Sequence, residues 1–276
     1  MLTRRAGFFV FLLLAAAGGF WAWAVLSPSG KGPEVPVQQG SEAMTAPNRP
    51  DICEEMVFEG ARAVLCVINP SAYEVRLVYR DAEGVPYRSV PRAVAALAEA
   101  GQTPVLAMNA GMYHADMTPV GLYVEGGAEL SAVNTDGGFG NFFLKPNGVF
   151  FIGTDAQAGV METEAYAQAG IAPQFATQSG PMLVIQGAIH PRFLPDGTTK
   201  YIRNGVGVRD GKIVLAITRD PVSLGSFARL FRDVADCPDA LFFDGAVSSL
   251  AWGSEMEIDS GEPAGPVVAV FARMAE

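Results

Sequence analysis

Four segments of this 276-residue chain end an apolar run on polar side chains beside a glycine. "VLAMNAGMYH" gathers Asn109, Tyr113 and His114 around Gly111, and "FATQSGPMLV" places Thr177, Gln178 and Ser179 before Gly180. "KYIRNGVGV" carries Arg203 and Asn204 before Gly205, and "LFFDGAVSS" carries Asp244, Ser248 and Ser249 around Gly245. Glycine lets a backbone come close to a ligand or take a positive φ. One such segment is ordinary turn chemistry. Four of them, supplying amide, hydroxyl, guanidinium and carboxylate groups, predict a shared polar pocket. A carboxylate in such a pocket serves as nucleophile or general base, and a guanidinium neutralises phosphate.

Each residue also has a purely structural reading. Asp244-Gly245 is a turn signal, Ser248 and Ser249 can satisfy local backbone, and Arg203 can serve in an ion pair. His114 and His190 are the only histidines, and only His114 adjoins one of the four segments.

The elements that must position these residues are largely β-hairpins. Glycine-containing turns at Gly126-Gly127, Pro146-Asn147-Gly148, Gln186-Gly187 and Asp210-Gly211 lie between apolar or β-branched flanks. "PVLAMN" and "DALFFDG" read as short buried strands. "SVPRAVAALAEAG" reads as a helix capped by Ser89 and closed by Gly101. "SFARLFRDVAD" puts Phe227, Leu230, Phe231 and Val234 on one helical face, and "METEAYAQAG" is a third helical segment. The predicted class is α+β: a mixed, largely antiparallel sheet system built from hairpins with a few packed helices. Regular strand–helix alternation is missing, which excludes a doubly wound fold, and "NTDGGFGNF" lacks the strand–turn–helix setting of a dinucleotide fingerprint.

The N-terminus reads as an export signal. Arg4 and Arg5 precede an uncharged apolar stretch from Gly7 to Leu26, a length that suits either a cleaved signal or a membrane anchor. Residues 27–50 are rich in proline, glycine and small polar residues and read as a flexible linker, so the globular domain is expected over 51–276. That organisation places the domain on the periplasmic or extracellular face, with residues 7–26 as the candidate tether. Three cysteines fit an oxidising compartment: Cys53 and Cys66 flank a hairpin-like segment and are expected to pair, leaving Cys237 buried as a thiol. No CxxC pair suggests zinc. A net charge of −10 without a Lys/Arg cluster excludes a nucleic-acid partner, while leaving room for one small anionic group.

The ordered set "NAGMY" (Asn109–Tyr113), "SGPMLV" (Ser179–Val184), "RNGVGV" (from Arg203) and "DGAVSS" (Asp244–Ser249) resembles the phosphodiester glycosidase domain family, in particular its bacterial branch. The resemblance runs from about Leu106 to Leu250. Ala110 and Ala246 stand where glycines are common in that family, and Asn204 where a hydroxyl residue is frequent. It implies an exported hydrolase that cleaves a sugar-1-phosphodiester, with Asp244 as nucleophile or base and Arg203 on the phosphate. Asn109, Gly111, Tyr113, His114, Gln178, Ser179, Gly180, Ser248 and Ser249 would bind substrate. Asp116, Glu125 and Asp136 are the candidates for a second carboxylate, since glycosidases usually employ two. The expected partner is a small glycosyl phosphodiester or a phosphorylated cell-envelope glycan. No cofactor is expected, although turns of this kind also suit calcium. The alternative is an envelope module that binds a phosphorylated glycan without turning it over.

Overall fold

The structure is a computed structural model and describes residues 49–273. The proposed signal or anchor and most of the linker lie outside those residues. The folded part belongs to one compact unit, residues 45–276, and among the described residues no helix is long and apolar enough to cross a membrane.

Three antiparallel sheets form the domain. The largest has seven strands: β1 (Cys53–Phe58), β2 (Ala61–Ile68), β10 (Met182–Ile185), β11 (Ala188–Ile189), β12 (Asn204–Arg209), β13 (Lys212–Thr218) and β14 (Asp239–Phe242), in the order β1-β2-β13-β12-β14-β10-β11. The second holds β3 (Tyr73–Val78), β4 (Leu106–Asn109), β15 (Leu250–Trp252), β16 (Glu255–Ile258) and β17 (Val267–Ala272), in the order β16-β15-β4-β17-β3. The third holds β5 (Tyr123–Glu125), β6 (Ala128–Ser131), β7 (Gly148–Ile152), β8 (Ala158–Glu162) and β9 (Phe175–Ser179), in the order β6-β5-β9-β7-β8. The largest core cluster draws on all three sheets, including Leu77, Met108, Tyr123, Phe150, Leu215, Leu241, Phe243 and Val268.

The sheet-rich character agrees with the sequence, with one correction: the system is not mixed. Every strand pair among the described residues is antiparallel, because neighbours are joined by hairpins or by long returns that reverse direction. The hairpins at Gly126-Gly127, Gln186-Gly187 and Asp210-Gly211 form. The one expected at Pro146-Asn147-Gly148 does not. β7 begins at Gly148, but residues 141–147 are irregular, because the Asn147 side chain donates to Phe142 O at 2.8 Å and folds the segment onto itself.

Helix α1 (Val90–Glu99) is capped by the Ser89 side chain, which accepts from Arg92 N, and Gly101 follows it at φ 74°. Helix α2 (Thr163–Ala169) starts later than its apolar pattern suggests, since Met161 and Glu162 belong to β8. Helix α3 (Leu224–Arg229) runs into a π-helical turn, Leu230–Val234. That wider turn rotates Val234 outward, so Phe227, Leu230 and Phe231 are buried while Val234 is exposed.

Cys53 and Cys66 face each other across β1 and β2 and form a disulfide, with Cα atoms 4.0 Å apart. Cys237 is free and buried, and burial pushes its thiol up to about 12.

Candidate active site

The four glycine-flanked segments converge at the C-terminal end of β14. Three consecutive amides there donate to three different segments: Phe242 N to Pro181 O (3.1 Å), Phe243 N to Asn204 O (3.1 Å) and Asp244 N to Ala110 O (3.2 Å). Strand polarity makes this meeting inevitable, because β14 lies between β10 and β12 and leaves the sheet toward the end of β4. Gly111 lets the first segment close in. A Cβ at that position would sit 2.2 Å from Thr177 Oγ1 and 2.9 Å from Gln178 O, so any side chain would force β9 away.

Asn109 and Asn204 knot the segments together. Asn109 Nδ2 donates to Asp244 O (2.8 Å), while its Oδ1 accepts from Ser249 N (2.9 Å) and from Asn204 Nδ2 (2.9 Å). Asn204 Nδ2 also reaches Asn109 O at 2.8 Å. Ser248 Oγ lies 2.9 Å from Gly245 O and 3.3 Å from Asn204 Oδ1. Ser249 Oγ lies 3.0 Å from Val247 O and 3.1 Å from Ser260 Oγ. All four side chains are buried and hydrogen-bonded within the protein. They hold the shape of the Asp244 turn.

Gln178 is likewise engaged. Its Oε1 accepts from Leu122 N (3.0 Å) and Asn134 N (2.9 Å), and its Nε2 donates to Asn134 O (2.7 Å) and Thr163 Oγ1 (3.2 Å). Ser179 is different: its fully buried hydroxyl has no partner among the described residues. Gly180 follows in tight packing, with room for no Cβ between Asn147 Cβ and Phe142 O, each 2.7 Å away. His114 lies in an exposed turn where its own N–H donates to Thr118 O at 2.8 Å.

Asp244 is the open functional group in this knot. Its backbone is fixed on both sides, and its carboxylate receives the Ala246 amide, while no cation pairs with it among the described residues. Burial holds it above the ordinary aspartate value of 3.8. The Tyr113 hydroxyl donates to Pro263 O. Burial first, then the charges of Asp244 and Glu262, push that phenol up to about 12. Glu262 is therefore the carboxylate that neighbours Tyr113 together with Asp244. The three carboxylates considered from sequence sit differently: Asp116 is exposed and accepts from the Thr118 hydroxyl and amide, Glu125 accepts from the Tyr123 hydroxyl, and Asp136 is exposed. The segment "DSGEP" at 259–263 also sets polar residues beside a glycine, but it lacks the preceding apolar run that marks the other four.

Arg203 directly precedes β12, as Asp244 follows the end of β14, and it forms no ion pair with Asp244 or with any other described carboxylate. Only 3% exposed, it donates from Nε to Val222 O (2.7 Å) and from Nη2 to Thr199 O (3.1 Å). Its guanidinium packs over the Phe242 ring at 5.4 Å and the Tyr201 ring at 5.7 Å. Burial lowers it to about 10, which leaves it charged at neutral pH. Gly245 presses on the same Phe242 ring, where a Cβ would lie 2.6 Å from Cζ. Phe242 thus touches both the cation and the Asp244 turn.

The model of the family described as phosphodiester glycosidase matches residues 102–271, more than half of the chain and all the segments just described. The chain belongs to this family. It is 33% identical over 184 residues to the "Uncharacterized protein YigE" of Escherichia coli (strain K12), covering 66% of this chain and 71% of that one. Its fold is similar to the zebrafish N-acetylglucosamine-1-phosphodiester alpha-N-acetylglucosaminidase catalytic domain, auto-inhibited by pro-peptide. The TM-score is 0.57 at 13% identity, over 82% of this chain and 85% of that one. A hypothetical protein from Synechocystis also shares the fold, with a TM-score of 0.50 at 15% identity over 80% of this chain and 61% of that one.

Proposed function

We propose that this chain hydrolyses sugar-1-phosphodiesters, and that it does so on the periplasmic or extracellular side of a membrane. The observation that carries the reading is Asp244: a partly buried carboxylate without a counter-charge among the described residues, fixed by main-chain bonds where the four segments meet in a phosphodiester glycosidase domain. A carboxylate bound to a nearby cation would be a weaker base and nucleophile, whereas desolvation strengthens it.

Cleavage at the anomeric carbon breaks the bond from C1 to the phosphate oxygen. As nucleophile, Asp244 bonds to C1 while the phosphomonoester leaves with the electron pair, and water then cleaves the glycosyl ester. As base, it takes a proton from a water that attacks C1 directly. Phosphate is already a good leaving group, so neutralising its charge matters more than protonating it. Arg203 is suited to that task because its cation has no carboxylate partner among the described residues. Tyr113 feels the charges of both Asp244 and Glu262, which makes Glu262 the candidate second carboxyl group. The chemistry uses the chain's own groups and calls on no cofactor. The basic start, the apolar stretch Gly7–Leu26 and the Cys53–Cys66 disulfide support export to an oxidising compartment.

The test is a panel of sugar-1-phosphodiesters offered to the purified chain, with release of phosphomonoester as the readout. Release from at least one diester, lost in Asp244→Asn, is expected. Binding of such a diester without any release would instead favour a glycan-binding envelope module.

A further inference from the structure

We infer that the cleft walled by Arg203 receives the leaving-group side of the substrate, and that it selects phosphodiesters of apolar alkyl or aryl alcohols. The inference rests on the glycosyl phosphodiester reading above and adds the chemical class of the aglycone. The cleft holds about 370 Å³ and opens beside the Arg203 guanidinium. Its lining includes Arg192 and Arg203 and no Asp or Glu, in a chain that carries 29 acidic against 19 basic residues. An anion is therefore favoured here against the charge of the whole protein.

The rest of the wall combines large apolar side chains with the smaller polar Asn141, Thr198, Thr199 and Ser223. Leu144, Phe193, Leu194, Tyr201 and Leu224 line the cleft. Leu194 is 72% exposed and Tyr201 58% exposed, and the fully exposed Phe139 lies two residues before Asn141, another lining residue. Two of the six large apolar side chains that stand exposed among the described residues thus line this one cleft. Apolar surface clustered in this way marks a binding site more often than chance exposure does. The leucine side chains and the Phe193 ring offer an alkyl or aryl group contact area that it can take out of water.

The geometry orders the substrate. Arg203 lies on the Phe242 ring, and Gly245 of the Asp244 turn packs against the same ring. With the phosphate on the guanidinium, the sugar extends toward Asp244 and the aglycone lies along Leu194 and Tyr201.

Titration calorimetry of the full chain with inorganic phosphate, ethyl phosphate and hexyl phosphate tests the inference without requiring turnover. Each methylene that leaves water is worth about fourfold in affinity. With partial burial, hexyl phosphate should bind at least about tenfold tighter than ethyl phosphate. Inorganic phosphate should bind no tighter than the ethyl ester. The exposed position of Leu194 allows Leu194→Ser without harm to the fold, which circular dichroism checks. That variant should lose most of the chain-length gain and keep its affinity for ethyl phosphate. Equal affinities for the two esters, or a gain untouched by both Leu194→Ser and Tyr201→Ser, would overturn the inference. Hydrolysis of sugar diesters without any chain-length gain contradicts the cleft assignment alone. A clear gain in a chain that hydrolyses no diester contradicts the proposed activity and leaves the cleft's preference standing.

Discussion

Replacing Asp244 with asparagine separates chemistry from architecture at one atom. The bonds that anchor this residue are main-chain bonds, Asp244 N to Ala110 O (3.2 Å) and Asn109 Nδ2 to Asp244 O (2.8 Å), so both survive the substitution. The amide keeps the carboxylate's size but cannot attack carbon or take a proton. The expected loss in kcat is on the order of a thousandfold, or about 4 kcal/mol of transition-state stabilisation. Stability should move the other way. The folded state raises the Asp244 pKa above its unfolded value, so the ionised form destabilises the fold at pH 7. That penalty fades as pH falls through the folded pKa and is gone below the unfolded one. Asp244→Asn should therefore melt no lower than wild type at pH 7, with the difference vanishing below the ordinary aspartate value of 3.8. For the wild type, the acid limb of kcat/KM should lie above that same value. Steady-state kinetics with a chromogenic sugar phosphodiester and thermal melts at both pH values supply the measurements. A variant that keeps more than about a tenth of wild-type kcat would remove Asp244 from the chemistry, since even a modest acid–base role contributes about a hundredfold.

Arg203→Ala should raise KM and also lower kcat, because charge on the departing phosphate grows in the transition state; an unchanged KM in the same kinetics would take Arg203 off the phosphate. Gly111→Ala should destabilise the domain by about 1–3 kcal/mol or more, as a Cβ 2.2 Å from Thr177 Oγ1 must displace β9, and urea titration reads the loss. Replacing Cys53 and Cys66 together by serine should cost about 3 kcal/mol through the freed loop between residues 13 apart, with an unchanged urea midpoint as the contrary result.

Much of this architecture is legible in the residues themselves. Glycine-containing turns flanked by β-branched strands place β5–β6, β10–β11 and β12–β13, and the Cys53–Cys66 register follows from a hairpin on Glu59-Gly60, both at positive φ. The Pro146-Asn147-Gly148 signal misleads because it reports a turn but not what precedes it. The bond from the Asn147 side chain to Phe142 O is tertiary in effect and has no local pattern. Convergence of the four segments is visible in their shared composition, whereas the division of labour within them is not. Asn109, Asn204, Ser248 and Ser249 look like ligand-binding groups in sequence, yet their polar atoms meet one another across as many as 140 positions. Long-range pairing of that kind depends on strand order, which no single segment encodes. Glu262 carries a weaker sequence signal because "DSGEP" follows no apolar run, and its link to the Asp244 segment, the Ser249–Ser260 contact, is tertiary.

The central claim is that bond cleavage occurs at the anomeric carbon, assisted by Asp244. Hydrolysis of a sugar-1-phosphodiester in ¹⁸O-labelled water tests it most directly, with mass analysis of both products. The account predicts that the label enters the sugar at C1 and that the phosphomonoester is released unlabelled. Label in the phosphate would mean attack at phosphorus and would contradict it.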